Sequence, residues 1–430
     1  MMSGIVVMMV VSAVTGAGKV EGPQGLDDVA RAYVRAVLAV GVHDADSVDA
    51  YYGPPEWRAA AEAEKRPLAD IRADVERLRE RLRTIPPAEG QGADADLLRL
   101  RHAYLTRELE ALATRVDMLS GKKLKFDEES RALYNAVAPS LGEDHFKKTL
   151  ARLEQQLPGT GPLVERYDAY RKAFVIPPDK VDAVFSAAIA ECRRRTLPHV
   201  DLPPGESFSV EYVKGKSWGA YNWYKGDSHS VIQVNLDLPI SIDRAVDLAC
   251  HEGYPGHHVY NALLEKHMVK DRGWVEFSVY ALFSPQSLIA EGTANYGVEV
   301  AFPGEERTAF ERATLYPLAG LDPAGAEAFA RVQAEVASLD SAVNEAARRY
   351  LEGRVDAAGA AAFLETYGMM PKDRAAKRVK FIEQYRAYVL NYNLGQDLVR
   401  AYVEKRAGAG DRWSVFKDLL ASPRLPGDLE

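Results

Sequence analysis

A chain of 430 residues is long enough for one large domain or two ordinary ones. With 47% hydrophobic and 27% charged residues it has the composition of an ordinary globular protein, and its formal net charge of −8 argues against nucleic acids and anionic membranes as main partners. The two cysteines, Cys192 and Cys250, are too few for a disulfide framework, and we expect Cys250 to be a packing residue.

Residues 1–20 are a candidate secretory signal or a disordered N-terminus. The apolar run IVVMMVV is followed by Thr15, Gly16 and Ala17, small residues like those around a signal cleavage site. No lysine or arginine precedes the run, and a misassigned start codon would leave a similar appendage. A cytoplasmic and an exported protein therefore both remain open. The run is too short to span a bilayer as a stable helix, and no other segment approaches that length.

Residues 21–205 predict an N-terminal helical part. Leu26 to Val40 has the pattern of an amphipathic helix. Apolar residues at spacings of four and three predict another helix from Ile71 to Ile85, which a pair of prolines ends. A further helix is expected from Leu97 to Met118. None of these segments carries a chemical motif, and Pro203-Pro204-Gly205 marks a change of character.

Residues 206–430 predict a zinc-hydrolase-like part that begins with a small sheet. The segments SFSVEYV, SWGAYNWY and SVIQVNL are β-like and are separated by Lys-Gly-Lys and Lys-Gly-Asp turns, which predicts an antiparallel arrangement. Trp218, Tyr221 and Trp223 could line substrate subsites or pack the sheet on the helices. We therefore expect a mostly α fold, a large helical body with a small antiparallel β-sheet before the metal-binding helix, in which both parts join.

The stretch HEGYPGHH holds His251, Glu252, His257 and His258. Imidazoles and carboxylates are ligands of catalytic zinc, and a carboxylate directly after the first histidine is where a metallopeptidase keeps its general base. On a regular helix the second histidine would follow four residues after the first, but that position is Pro255. A bulge would restore this geometry for His257, whereas without one His258 has the better angle but lies too far along the axis. We favour His257 and keep His258 as the alternative.

Glu291 is the candidate third ligand. It lies in EGTANY after Ser284-Pro285, a sequence that predicts the start of a new helix. A third ligand on a separate helix leaves the fourth coordination position open for water, as catalytic zinc requires. Asn295, one turn further on, could hold a metal-bound imidazole by a hydrogen bond. We expect about one Zn²⁺ per chain, bound by His251, His257 and Glu291.

HEGYPGH followed by EGTANY resembles the HE-x-x-P-G-H and E-G-x-A-x-Y elements of the bacterial family called domain of unknown function 885. Asn391-Tyr392-Asn393-Leu394-Gly395 is similar to the S-Y-x-x-G element of that family. The family is similar in fold to gluzincin carboxypeptidases, which are all-helical zinc peptidases with a small sheet. The motifs cover the C-terminal half of the chain, and the N-terminal half resembles the family by helical character only.

The resemblance implies a role for each matching residue. Carried over, His251, His257 and Glu291 are metal ligands, Glu252 is the general base and Tyr392 is a catalytic-site residue. The chain departs from the family at two positions, where Thr293 replaces a tryptophan and Val298 replaces a glutamate. Glu299 lies one residue too late to take the place of that glutamate.

These residues predict a zinc-dependent peptidase that hydrolyses a peptide bond with metal-activated water and Glu252 as general base. Arg378 and Arg386 could bind a substrate carboxylate, as in a carboxypeptidase or dipeptidase, or could belong to a solvated helix face. A metal-dependent amidohydrolase of non-peptide amides would use the same ligands. A catalytically silent binding or scaffold protein of the same fold is the other alternative. Oligomeric state cannot be read from the sequence.

Overall fold

A computed structural model of the chain describes residues 24–216, 218–237 and 239–429. The candidate signal segment, residues 1–20, lies outside the described residues. The α-helices that precede the larger sheet are α1 (Gln24–Gly41), α2 (Pro55–Glu64), α3 (Leu68–Arg83), α4 (Ala93–Leu119), α5 (Phe126–Tyr134), α6 (Glu143–Gln156), α7 (Leu163–Lys172) and α8 (Val181–Thr196).

The α-helices that follow this sheet include those around the HEGYPGHH stretch, residues 251–258, which we call the metal motif. The others form the C-terminal part of the chain. They are α9 (Asp243–Leu248), α10 (His257–Leu264), α11 (Pro285–Ala301), α12 (Glu306–Phe310), α13 (Tyr316–Ala319), α14 (Ala326–Ala337), α15 (Ala342–Leu351), α16 (Ala357–Tyr367), α17 (Lys372–Tyr385), α18 (Leu390–Ala407) and α19 (Arg412–Leu420). The strands are β1 (Val48–Tyr51), β2 (Ser207–Val213), β3 (Ala220–Gly226), β4 (His229–Asn235) and β5 (Val279–Ala281). The expected mostly α fold with small sheets is confirmed.

Helix α3 shows how the apolar spacing of the first half is used. Ile71, Val75 and Leu82 are buried on one face of this helix, which packs against α1 and α4. At the edge of this contact, Arg72 of α3 pairs with Glu76 of its own helix and with Asp117 of α4. The predicted helix from Ile71 is therefore confirmed, and it ends at Arg83, before the paired prolines.

The three-stranded sheet has the order β2-β4-β3, and it is mixed rather than antiparallel. β3 and β4 form the expected hairpin, with positive φ at both turn residues, Asp227 and Ser228. β2, however, runs parallel to β4. The Lys-Gly-Lys segment does not close a tight hairpin, because the chain crosses to the far edge before it enters β3. The most buried strand, β4, thereby takes the centre, where both of its edges are paired.

A second, two-stranded sheet connects the two halves of the sequence. β1 pairs antiparallel with β5, so that Ala50 lies opposite Tyr280. β1 also lies beside β3, where Tyr52 and Tyr224 meet edge to face with ring centroids 5.2 Å apart. The sequence analysis did not predict this sheet, because its strands are short and lie far apart in the chain.

The larger core cluster combines residues from both halves of the chain. The first half contributes residues of α1, α4 and α8, and the second half contributes residues of α9, α10 and α11. The proposed division of the chain near residue 205 stays a prediction. Within the described ranges, no helix combines the length and the apolar character needed to cross a membrane.

Candidate metal centre

The metal motif lies where a helix breaks and starts again. α9 continues as a π-helical turn, Ala249–Gly253, which carries His251 and Glu252. The chain is extended at Tyr254 and returns to helix at His257. Gly256 is required at this point, because a Cβ atom there would lie 1.9 Å from the backbone oxygen of His251. The sequence predicts a bulge within one continuous helix, but the structure has two separate helical segments with extended chain between them.

This break brings two imidazoles together. The rings of His251 and His257 meet edge to face, with centroids 4.6 Å apart and an interplanar angle of 88°. The predicted helix after Ser284 is confirmed as α11, and it brings Glu291 to the same point. Nε2 of His251 is 3.5 Å from Oε2 of Glu291, and Nε2 of His257 is 3.8 Å from Oε1. One ligand-type atom from each of these residues lies within 4.8 Å of the others.

His258 points away from this cluster into the protein. Its side chain is fully buried, with Nδ1 2.8 Å from the Ser230 hydroxyl and Nε2 2.9 Å from Oε2 of Glu206. Burial disfavours the charged form of Glu206, but hydrogen bonds from His258, Tyr254 and Arg193 hold its pKa at about 2. The structure thus places His257, and not His258, beside His251 and Glu291.

Asn295 holds the imidazole of His251. Its Oδ1 atom is 2.9 Å from Nδ1 of His251, while its Nδ2 group donates to the carbonyl oxygen of Tyr392 at 2.8 Å. Because the amide N–H already has an acceptor, Oδ1 is free to accept the Nδ1 proton of His251. The neutral ring then presents an unprotonated Nε2 to Glu291 and His257, which is the form that binds a metal.

The electrostatics of the cluster fit a cation. Burial lowers the pKa of His251 to about 4 and that of His257 well below its ordinary value, so both rings are neutral. Burial raises the pKa of Glu252 and of Glu291 to about 8. Oε2 of Glu291 is buried and has no hydrogen-bond partner in the described chain. Among the described residues, no lysine or arginine pairs with Glu291. Two neutral imidazoles beside an orphaned carboxylate oxygen therefore form a suitable site for a divalent metal ion.

Two tyrosines of the C-terminal part border the cluster. The Tyr388 hydroxyl donates to Oε1 of Glu291 at 2.8 Å. Burial and the charge of Glu291 raise the pKa of Tyr392 well above its ordinary value, and the charge of Glu252 adds to this effect. The motif resemblance includes Tyr392 but not Tyr388. Its position one helical turn before Tyr392 was the available signal.

The two arginines that could bind a carboxylate differ in their surroundings. Arg386 donates to Glu129 and to the carbonyl oxygen of Leu124, so it has a structural role. No carboxylate within the described ranges forms an ion pair with Arg378. Its guanidinium lies over the ring of Phe381, 5.3 Å from the centroid, and its charge lowers the pKa of Tyr392.

The positions at which the chain departs from the resembled family have local partners. Thr293 is buried and its hydroxyl donates to the carbonyl oxygens of Ile289 and Ala290 in its own helix. Glu299 pairs with Arg400 and accepts a hydrogen bond from Gln396. Glu299 therefore takes no part in the cluster.

The sheet borders the site through β3. Asn222 points inward, and its Nδ2 group donates to the carbonyl oxygen of Glu252 at 2.6 Å. Tyr221 and Trp223 lie on the other face of the strand, with ring centroids 4.6 Å apart, and Trp223 is 37% exposed. Trp223 thus does not pack the sheet on the helices. Trp218 stacks next in this row, 5.6 Å from the ring of Tyr221.

A disulfide ties the motif to the first half of the chain. Cys192 in α8 is bonded to Cys250 in the π-helical turn, with Cα atoms 5.7 Å apart. Cys250 directly precedes His251. The expectation that Cys250 is only a packing residue is wrong, because a sequence separation of 58 residues conceals that α8 packs on this turn.

No family model matches the chain, and no curated protein matches it. Among solved structures, it is similar to a protein named as a putative lipoprotein from Colwellia psychrerythraea, with 15% identity over 94% of this chain and 74% of that chain and a TM-score of 0.54. It is also similar to a carboxypeptidase from Pyrococcus furiosus, with 12% identity, 94% and 91% of the two chains covered and a TM-score of 0.45. For an M32 carboxypeptidase from Deinococcus radiodurans R1, the identity is 12%, the coverage 94% and 93%, and the TM-score 0.38.

At these identities a likeness shows a shared fold and nothing about the reaction. The predominantly helical architecture thus has solved counterparts. The family suggested by the motifs stays a prediction.

Proposed function

We propose that this protein is a zinc-dependent peptidase, with His251, His257 and Glu291 as metal ligands and Glu252 as general base. The observation that carries the proposal is the convergence of these three ligand-type side chains within 4.8 Å, on two separate helical segments of the motif and a third helix. Glu252, which directly follows His251 and is only 5% exposed, provides the buried carboxylate that a metallopeptidase needs as general base. A purely structural cluster of histidines would not require such a carboxylate.

The residues would divide the work of hydrolysis between them. A zinc ion at this site would lower the pKa of a bound water and polarise the scissile carbonyl. Glu252 would take the proton of that water and return it to the leaving amine. Asn222 fixes the backbone of Glu252, and Asn295 fixes the ring of His251, so both groups are held before substrate arrives. Tyr392 would donate a hydrogen bond to the carbonyl oxygen as negative charge develops there.

The substrate we propose is a peptide. β3 lies at the edge of its sheet and next to the motif, where an extended backbone could add as a further strand. Arg378 could receive a C-terminal carboxylate, which would make the protein a carboxypeptidase or a dipeptidase. A non-peptide amide would be hydrolysed by the same groups, so the length and the ends of the substrate are matters for a substrate screen.

The test combines metal content with activity. We expect about one zinc per wild-type chain by elemental analysis. The zinc should be lost in His257→Ala and kept in His258→Gln. Glu252→Gln should keep the metal and lose at least about a hundredfold in kcat on a peptide library, because the general base is gone. Glu299→Gln, a change to a glutamate paired outside the cluster, is the matched control and should leave both values unchanged.

Two results would overturn the proposal. If the wild type binds no metal even after incubation with zinc, the cluster is not a metal site. If Glu252→Gln is as active as the wild type, the hydrolysis does not use this base. Metal binding without hydrolysis of any peptide or amide would favour the binding-protein alternative.

We also propose that the protein is exported. The Cys192–Cys250 disulfide supports this location, because disulfides persist in oxidising compartments and are rare in the cytosol. The solved protein from Colwellia psychrerythraea that shares the fold is named as a putative lipoprotein, which agrees with the same location.

A further inference from the structure

Asp49 lies beside the proposed catalytic site but has no part in the mechanism above. It belongs to β1, which pairs with β5 and lies next to β3. The Tyr221 hydroxyl of β3 donates a hydrogen bond to Oδ1 of Asp49. Asp49 is only partly exposed, and this hydrogen bond fixes the position of its carboxylate.

The charge of Asp49 acts on the central residues of the site. It contributes to the raised pKa of Glu252 and of Glu291, and it also raises the pKa of Tyr388. Tyr388 is the residue that donates to Glu291. Tyr221, which holds Asp49, is next in sequence to Asn222, whose Nδ2 group donates to the carbonyl oxygen of Glu252 at 2.6 Å. Asp49 therefore lies close to the proposed general base Glu252 and to the proposed ligand Glu291.

No cation accompanies this carboxylate. Two other acidic residues of the same segment have partners, since Asp44 pairs with Arg115 and Asp46 accepts a hydrogen bond from Gln384. Within the described ranges, Asp49 forms no ion pair. Burial raises the pKa of Asp49 to about 6, while the Tyr221 hydrogen bond lowers it, so the carboxyl group is largely ionised at neutral pH.

An ionised carboxylate that is withdrawn from water and lacks a cation is costly, and a charged ligand can repay that cost. The Asp49 side chain is partly exposed, so the missing cation can come from outside the protein. The hydrogen bond from Tyr221 satisfies one oxygen, while Oδ2 is not hydrogen-bonded to any residue of the described chain. A protonated amine or guanidinium has the donors that such an oxygen accepts.

We propose that Asp49 is a specificity-determining residue that binds a cationic group of the substrate, with Tyr221 as the residue that positions it. This inference rests on the proposed peptidase function and names the substrate class: peptides with a positive charge near the scissile bond. The charge has two sources with the same chemistry. It is the free α-amino group of a short peptide or the side chain of a lysine or arginine.

The experiment measures binding, so that it does not depend on turnover. Zinc-loaded Glu252→Gln protein is titrated calorimetrically with tri-alanine, with N-acetyl-tri-alanine, and with an N-acetylated peptide in which the first residue is lysine. We expect tri-alanine or the lysine peptide to bind roughly tenfold or more tightly than N-acetyl-tri-alanine. Whichever cationic peptide binds identifies the source of the charge.

The variants assign the effect to Asp49. Asp49→Asn in the Glu252→Gln background should abolish the preference for the cationic peptide and leave the binding of N-acetyl-tri-alanine unchanged. Asp46→Asn is the matched control, since this neighbouring carboxylate has its own partner and should keep the full preference. Thermal melts show whether each variant is folded, and the comparison of ligands needs no Asp49 variant at all.

The outcomes separate this inference from the proposed function. The inference is overturned if charged and acetylated peptides bind equally, or if the preference for the charged peptide survives in Asp49→Asn. Peptide hydrolysis by the wild type would still support the proposed peptidase function in either case. A preference that Asp49→Asn removes, in a protein whose wild type hydrolyses nothing, supports the cation subsite and overturns the peptidase.

Discussion

The two ring nitrogens of His251 have different surroundings, and this difference decides what the residue can do. Nδ1 is occupied by Asn295, while Nε2 faces His257 and Glu291. An imidazole held in this way needs no reorientation to bind a metal, and the basic nitrogen is the one that points into the cluster. Asn295 also ties this arrangement to α18 through the Tyr392 carbonyl group.

Asn295→Ala is therefore expected to weaken metal binding without removing a ligand. The His251 ring would lose its only fixed partner on Nδ1, and zinc affinity should fall by roughly 10- to 100-fold in a titration against a competing chelator. Glu299→Gln, one helical turn further along α11, is the control and should bind zinc as the wild type does. An Asn295→Ala protein with wild-type affinity would mean that packing alone orients His251.

At the residue level, local chemistry made part of the site predictable. The density of imidazoles and carboxylates in HEGYPGHH makes His251 and His257 candidates, and the motif context adds Glu291. The three side chains converge in the structure, while their role as ligands stays a prediction. Asn222 and Asp49 were not predicted, because their place at the site depends on how β3 and β1 lie against the motif. Their own sequence neighbourhoods carry no sign of it.

At the level of elements, α11 and α18 meet at a pair of glycines. A Cβ atom on Gly292 would lie 2.4 Å from the backbone oxygen of Gly395, and a Cβ atom on Gly395 would lie 2.7 Å from that of Leu288. The backbones thus touch directly at Gly292, one residue after the proposed ligand Glu291 and three before Asn295. This close approach is what lets Asn295 reach the Tyr392 carbonyl group across the two helices.

Gly292→Ala should separate these helices. The added methyl group meets backbone and not a flexible side chain, so we expect a loss of about 2 kcal/mol in the free energy of unfolding and weaker zinc binding as Asn295 is displaced. Gly219→Ala is the control, since a Cβ atom there meets nothing within 4 Å. Urea unfolding monitored by circular dichroism measures the first effect. A Gly292→Ala protein as stable as Gly219→Ala would show that the helices can move apart at no cost.

Elements with a strong period were predictable, and their arrangement was not. The stripe of α3 and the start of α11 follow from spacing and from Ser284-Pro285. Pro255 and Gly256 predict an irregularity in the helix at this point, and the structure has one after Gly253. The sequence indicates only a bulge, because it does not show that the chain leaves the helix completely. The place of β4 between β2 and β3 depends on burial of β4 on the helices, which strand patterns do not contain.

At the scale of the whole molecule, the disulfide joins the helical first half to the HEGYPGHH stretch. Cys192 lies in α8, which packs against the π-helical turn, and Cys250 precedes His251 in that turn. The closed loop contains the entire three-stranded sheet. A cross-link of this kind restricts the unfolded chain, and by loop entropy a separation of 58 residues is worth up to about 4 kcal/mol.

Reduction should therefore destabilise the protein and loosen the metal site together. Dithiothreitol is expected to lower the melting temperature of the wild type and to weaken zinc binding, since the turn that carries His251 would lose its covalent tie to α8. The Cys192→Ala/Cys250→Ala double variant should melt at the lower temperature with or without dithiothreitol. Differential scanning fluorimetry, with zinc added and removed, measures both effects.

Equal melting temperatures for the oxidised wild type and the double variant would contradict the stabilising role of the disulfide. If the reduced wild type loses stability but keeps its zinc affinity, the disulfide stabilises the fold and has no effect on the metal site.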